Sequence, residues 1–168
     1  MNLKKTLFSL AIMSFFAVSA FAQEKASPAQ TAEGMVGDAK ITIKYSSPGV
    51  KGRMIWGDLV PLGQVWRAGA DEATTFTTSK DIMVEGEKLP AGTYSFFVIP
   101  NEYESTLIFN SVAEQWGAYD YDSGKDVLRV NVPSQQTSTM EERLVYEVKD
   151  DSFELRWEYG KASAKIGS

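Results

Sequence analysis

The chain has 168 residues, a formal net charge of −5 and neither histidine nor cysteine, while 12% of its residues are aromatic. The missing imidazole and thiol exclude the commonest general base, the Ser/His and Cys/His nucleophile systems and the usual zinc ligand sets. Because the net charge is negative and the lysines and arginines are scattered, we expect no nucleic acid partner.

Residues 1–22 have the pattern of a secretory signal peptide. Lys4 and Lys5 form a positive n-region, an apolar run extends from Leu7 to Val18, and Ala20-Phe21-Ala22 is an A-x-A cleavage site. The apolar run is short for a membrane span, so we expect no membrane insertion after cleavage near Ala22. We predict a periplasmic or extracellular protein whose stability, without disulfides, rests on a hydrophobic core.

The rest of the chain divides into a short leader and one domain. Residues 23–32 are small and polar and include a proline, which is typical of a flexible leader. Residues 33–168 are enough for a single domain with one core.

Alternating runs rich in β-branched and aromatic residues recur along this domain, and turn residues such as Glu85-Gly86 and Tyr159-Gly160 separate them. No segment has a long apolar helical period. We therefore predict an all-β fold, an antiparallel β-sandwich or jelly-roll of about nine strands with two long loops, 47–72 and 111–125. The predicted strands are 40–46, 73–79, 82–85, 92–99, 105–110, 126–132, 143–149, 152–158 and 161–166.

Two strands carry the clearest face assignments. Both faces of residues 92–99 are apolar, which predicts a central strand. Near the C-terminus, alternation predicts that residues 153, 155 and 157 share the core face with residues 162, 164 and 166.

Four motifs carry a family resemblance: KGRMIWGDLVPLGQVWRAGADEAT at 51–74, LPAGTYSFFVIP at 89–100, QWGAYDYD at 115–122 and KDVLRVNV at 125–132. In this order they resemble the family catalogued as domain of unknown function 2911, found in exported proteins of Gram-negative bacteria. The resemblance implies an exported protein but no catalytic residue, since the family has no established activity. The chain departs from it at Asp71, where asparagine is commoner, so that position receives no fixed role.

The first long loop combines indole rings with opposite charges. Arginine forks bind carboxylates or phosphates, and indole faces accept sugar rings or cations, so the loop has the content of a ligand cleft. In the structural alternative, the two tryptophans close the ends of the sandwich while the arginines pair with Asp58 and Glu72. The candidate ligand residues of this loop are Arg53, Trp56, Trp66, Arg67 and Glu72.

The second long loop carries Trp116, Tyr119 and Tyr121 around Gly117. These rings are candidates for lining a sugar or peptide groove, and core packing is the alternative. If both loops emerge at one end of the sandwich, they share one site.

Acidic residues alternate in the same loop, at Asp120, Asp122 and Asp126. Alternating carboxylates beside a glycine are a weak indication of a calcium loop. The spacing, the terminal glutamate and the flanking helices of an EF-hand are absent, so we predict no metal and keep these three residues only as weak candidates.

The leading interpretation is an exported, non-catalytic β-sandwich that binds a carbohydrate or an acidic small molecule without a cofactor. One alternative is a glycosidase-like hydrolase in which Asp58 and Glu72 act as acid and base. The other is a structural or partner-binding envelope protein. Without histidine or cysteine, the sequence leaves catalysis open but favours binding.

Overall fold

The computed structural model describes residues 25–167 of the chain. This part contains ten strands and one turn of 3₁₀ helix (Ser123–Lys125). The strands are β1 (Ala29–Val36), β2 (Ala39–Ser46), β3 (Thr74–Thr78), β4 (Ile82–Val84), β5 (Glu87–Leu89), β6 (Gly92–Ile99), β7 (Glu104–Asn110), β8 (Asp126–Pro133), β9 (Gln135–Lys149) and β10 (Ser152–Gly167). They form two antiparallel sheets, β1-β2-β3-β6-β7-β8 and β5-β4-β10-β9.

The core lies between the two sheets, as the alternation of apolar residues predicts. Phe153 of β10 packs against the first sheet, with its ring centroid 5.1 Å from that of Phe76 and 5.6 Å from that of Phe96. Both of these phenylalanines are fully buried. The predicted all-β antiparallel sandwich is therefore confirmed.

Strand β6 is an interior strand, paired with β3 on one side and β7 on the other. Phe96 and Val98 face the main core, whereas Phe97 joins a smaller cluster with Ala73 and Ile108. Val65 and Tyr121, from the two long loops, pack on this smaller cluster. Both faces of β6 are thus covered, which explains why its sequence is apolar throughout.

Strand β10 contains two of the predicted strands and doubles back on itself. A straight strand of its 16 residues would extend about 50 Å. Nevertheless Ile166 donates its N–H to the carbonyl of Asp151 at 2.7 Å, and Ser163 Oγ donates to the carbonyl of Phe153. Glu158, with φ of 53°, is at the reversal, where the sequence predicts a turn.

The alternation of apolar residues in the sequence did not predict β1, β5 or the first half of β9. β1 pairs with β2 along its whole length and begins at Ala29, inside the range predicted as a flexible leader. Residues 29–32 are therefore part of the sheet, which corrects that part of the prediction. β1 is an edge strand with mostly exposed side chains, so its backbone pairing leaves little hydrophobic alternation in the sequence.

The predicted signal peptide, residues 1–22, lies outside the described residues and stays a prediction. Between residues 25 and 167 there is no helix long and apolar enough to cross a membrane.

Candidate functional site

The two long loops are in contact, as a shared site would require. Ala73 donates its N–H to the carbonyl of Gln115 at 3.0 Å, and Gly117 donates to that of Asp71 at 3.2 Å. The Cβ that an alanine would place at Gly117 would lie 3.7 Å from Nη1 of Arg67. The end of the first loop is therefore fixed against the start of the second.

Backbone pairing also anchors the two halves of the first loop to the sheets. Trp66 exchanges two backbone hydrogen bonds with Val98 of β6, at 2.8 and 2.9 Å. Val50 donates its N–H to the carbonyl of Glu142, and Leu144 of β9 donates to that of Pro48. The loop is thus held on both sheets rather than standing free in solvent.

Three tryptophans form one aromatic cluster at this end of the sandwich. The rings of Trp66 and Trp157 are stacked, with centroids 5.8 Å apart and planes 16° apart. Trp56 meets both rings edge-on and donates Nε1–H to the carbonyl of Trp157 at 3.2 Å. Trp56 and Trp66 are partly buried against the main core, so the structural alternative holds for their packing.

A cavity of about 250 Å³ lies beside this cluster, and we call it the cationic cavity. Lys51, Arg53 and Arg67 line it together with Trp66 and Trp157, and among residues 25–167 no aspartate or glutamate does. The cavity therefore combines cationic side chains with an aromatic wall, and one carboxylate lies next to it, since Glu142 Oε1 accepts the N–H of Lys51 at 2.9 Å.

Two residues that line this cavity each carry a buried donor without a partner. Arg67 Nε and Trp157 Nε1 are both inaccessible to solvent, and neither has a hydrogen-bond partner within the described part of the chain. An unsatisfied buried donor costs about 1–3 kcal/mol.

Arg53 is held differently. Its Nε donates to the carbonyl of Val50 at 3.1 Å and its Nη2 to that of Gly49. These bonds use two of the five N–H groups of the guanidinium. Arg53 therefore shapes the loop and keeps donors for a ligand.

Ala68, next to Arg67, adopts a left-handed conformation with φ of 54°. Tyr146 Oη and Thr74 Oγ1 both donate to its carbonyl, at 2.7 and 2.9 Å. Burial raises the pKa of Tyr146 well above its ordinary value, so this hydroxyl stays a donor. The conformation of Ala68 costs about 1–2 kcal/mol and is maintained by these bonds, and such strain is concentrated at functional sites.

A second cavity, of about 410 Å³, lies beside Trp56. Asn101, Gln135 and Gln136 line it with Tyr159, and we call it the amide cavity. Gly160 lets the indole of Trp56 lie close to the backbone, because a Cβ at this position would be 2.6 Å from Trp56 Cε2.

Residues 27–166 match the family described as "Protein of unknown function (DUF2911)". The chain belongs to the DUF2911 family. No curated protein and no solved structure matches this DUF2911 chain. The suspected family is thereby confirmed, and the family description assigns no activity.

Asp71, the departure from the family pattern, also has a left-handed conformation in this DUF2911 chain, with φ of 58°. Asparagine and aspartate are the residues other than glycine that adopt it most readily. Asparagine and aspartate are therefore exchangeable at position 71, because both tolerate its left-handed backbone conformation.

The two carboxylates considered for catalysis lie apart from both cavities. Asp58 is exposed at the tip of a turn in which Val60 donates its N–H to the carbonyl of Ile55. Glu72 is exposed where the two loops pair. The predicted pairing of Arg53 and Arg67 with these acids is wrong, since neither acid forms an ion pair within residues 25–167.

The rings of the second loop line neither cavity. Trp116 and Tyr119 are 57% and 81% exposed. Tyr121 packs on Phe97 and donates Oη–H to Asp126 Oδ2 at 2.6 Å. Burial raises the pKa of Tyr121. Their assignment as ligand residues stays a prediction.

The three acids of the weak calcium candidate have separate roles. Asp122 caps the 3₁₀ turn by accepting the N–H of Gly124, and Asp126 accepts hydrogen bonds from Tyr121 and Arg129. Asp120 is exposed. Nowhere between residues 25 and 167 do three acidic, histidine or cysteine side chains gather as metal ligands.

Sequence reasoning found three residues of the cationic cavity, Arg53, Trp66 and Arg67, and missed Lys51 and Trp157. Trp157 reads as a core residue because strand alternation places it with Leu155. Lys51 is the first residue of the family motif at 51–74, which also contains Arg53 and Arg67. Its charge in the same motif as these two arginines was the sequence feature that could have identified it as a cavity residue.

Proposed function

We propose that this DUF2911 protein is an exported, non-catalytic protein that binds a small acidic molecule in the cationic cavity. The supporting observation is the set of cationic N–H donors lining it, from Lys51, Arg53 and Arg67, with no aspartate or glutamate among the lining residues within 25–167. Carboxylate and phosphate oxygens accept such hydrogen bonds, and charge assistance makes these bonds about twice as strong.

The size and wall of the cavity narrow the ligand class. A volume of about 250 Å³ is below the range of about 300–1,000 Å³ typical of pockets for drug-sized ligands. The indoles of Trp66 and Trp157 form an apolar wall beside the cations. A compact acid with an apolar or planar portion matches both features.

Export is supported by the signal pattern of residues 1–22. The test is to express the full chain in a Gram-negative host, fractionate the cells and sequence the N-terminus of the exported protein. Cleavage after Ala22 is the expected result, and recovery of an uncleaved cytoplasmic chain would contradict export.

Binding is tested by isothermal titration of the purified protein with succinate, phenylacetate, benzoate and inorganic phosphate. We expect at least one of these anions to bind, and Arg67→Met to weaken its binding about tenfold or more, equivalent to ~1.4 kcal/mol. Lys44→Met is the matched control, because it removes one charge from an exposed position on β2 that lines neither cavity.

The direction of the salt dependence is a second readout. Ions screen the attraction of an anion to Lys51, Arg53 and Arg67, so affinity should fall as sodium chloride rises. Absence of binding by all four anions, or equal weakening in Lys44→Met and Arg67→Met, would contradict the proposal.

A further inference from the structure

The amide cavity differs from the cationic cavity in its hydrogen-bonding groups. Gln135 and Gln136 line it, and no side-chain hydrogen bond within residues 25–167 uses either amide. Each amide has two N–H donors and an acceptor oxygen. The hydroxyls of Ser105 and Ser134, in contrast, are engaged with each other at 2.7 Å.

The charges of the amide cavity disfavour an acidic ligand. Glu102 and Glu158 line it with Lys161 as the only cation among the described lining residues. Lys161 Nζ is already paired with Glu154 Oε2 at 2.9 Å. Because the two remaining charges are carboxylates, the cavity repels anions and accepts hydrogen bonds from hydroxyl groups.

Aromatic surface completes the lining. Trp56 is fixed by its bond to the carbonyl of Trp157, and its partly buried indole contributes part of the cavity wall. Tyr159 lies at the reversal of β10 and is 49% exposed. Rings of this kind present an apolar face next to polar groups, which suits the apolar C–H face of a sugar.

We propose that the amide cavity is a second site, independent of the cationic cavity, that binds a neutral saccharide of one or two rings. Its volume of about 410 Å³ is within the range of small-molecule sites. The amides of Gln135 and Gln136 and the carboxylate of Glu158 bind the hydroxyls, and Trp56 and Tyr159 contact the ring faces.

The test is isothermal titration of the wild-type protein and its variants with cellobiose, maltose and di-N-acetylchitobiose. We expect one of these neutral sugars to bind, and Tyr159→Ala and Gln136→Ala each to weaken it about tenfold, equivalent to ~1.4 kcal/mol. Tyr103→Ala is the matched control, because this tyrosine is 79% exposed and lines neither cavity. Far-ultraviolet circular dichroism checks that each variant is folded.

Arg67→Met separates this proposal from the first one. If the two sites are independent, this variant loses anion binding and keeps sugar binding. The proposal is overturned if no sugar binds the folded wild-type protein, or if Arg67→Met or Tyr103→Ala weakens sugar binding as much as Tyr159→Ala does. The proposal would also be overturned if both Tyr159→Ala and Gln136→Ala kept full affinity for the sugar. Binding of the organic cation tetramethylammonium, but of none of the three sugars, would overturn it as well.

Discussion

Replacing Arg67 with methionine removes one cationic side chain from the cationic cavity and leaves a chain of similar length and apolar surface. Arg67 Nε is buried without a partner among the described residues, and its charge shares the cavity with those of Lys51 and Arg53. In the ligand-free protein this guanidinium therefore lowers the free energy of unfolding. We expect Arg67→Met to raise the free energy of unfolding while it removes affinity for anions.

The magnitude follows from the contacts. A buried donor without a partner costs about 1–3 kcal/mol, and methionine removes it. Part of that gain is offset, because methionine does not fill the volume of the guanidinium and leaves some unfilled space. A net gain of about 1 kcal/mol would raise the melting temperature by about 3 °C for a domain of this size.

Arg53→Met is the informative comparison, since it changes the same residue type in the same cavity. Arg53 Nη2 donates to the carbonyl of Gly49 and Nε to that of Val50, which also accepts the backbone N–H of residue 53. Arg53→Met therefore leaves the Gly49 carbonyl without this donor and should lower the free energy of unfolding by about 1 kcal/mol. Both variants are measured by urea unfolding followed by tryptophan fluorescence and circular dichroism, without added anions.

A loss of about 1 kcal/mol or more in Arg67→Met would refute the reasoning, because the guanidinium would then stabilise the fold through partners of its own. Added ligand gives a second check, because a ligand that binds the native state raises its stability in proportion to RT ln(1 + [L]/Kd). The anion found by titration should therefore stabilise the wild-type protein, and it should have little effect on Arg67→Met.

Three further changes have directions fixed by the structure. Gly160→Ala should displace the indole of Trp56, lower stability by about 1–3 kcal/mol in urea unfolding and leave anion binding intact, whereas unchanged stability would contradict the close approach. Gly69→Ala should be destabilising by a similar amount, because its Cβ would lie 2.8 Å from Thr74 Oγ1, and an unaltered melting temperature would refute the clash. Glu154 is buried, which raises its pKa, but hydrogen bonds from two lysines prevail and lower the pKa from 4.5 to about 2. Its carboxylate therefore contributes up to about 3 kcal/mol above pH 4.5 that is lost as the pH falls towards 2, and Glu154→Gln should differ from wild type at pH 7 but converge with it near pH 2 in urea unfolding.

The strands that the sequence predicts well are those with one face in the core. β6 was predicted with its observed bounds, because an apolar run between Pro90 and Pro100 leaves few alternatives. β1 was missed for the opposite reason: its residues are mostly exposed, and it is held by main-chain hydrogen bonds to β2. Hydrophobic periodicity reflects side-chain burial. It therefore hardly detects an edge strand that is held by backbone hydrogen bonds.

The site was predictable in residue type but not in geometry. Arg53, Trp66 and Arg67 were identified as ligand residues from their chemistry, and the structure brings them to one cavity. Trp157 joins them because its ring stacks on that of Trp66, a contact across 91 positions of the sequence. That Arg67 Nε has no hydrogen-bond partner within residues 25–167 is likewise a property of three-dimensional packing.

The tryptophan cluster separates two cavities of opposite electrostatic character. Trp56 lines the amide cavity, whereas Trp66 and Trp157 line the cationic cavity, and all three rings are in mutual contact. An anion is attracted to Lys51 and the two arginines and repelled by the carboxylates of the amide cavity, so charge favours the cationic cavity for the proposed anion, whereas the proposed neutral sugar is selected by hydrogen bonding. Because backbone pairing anchors the first loop on both sheets, either proposed ligand would meet a site that is formed before it binds.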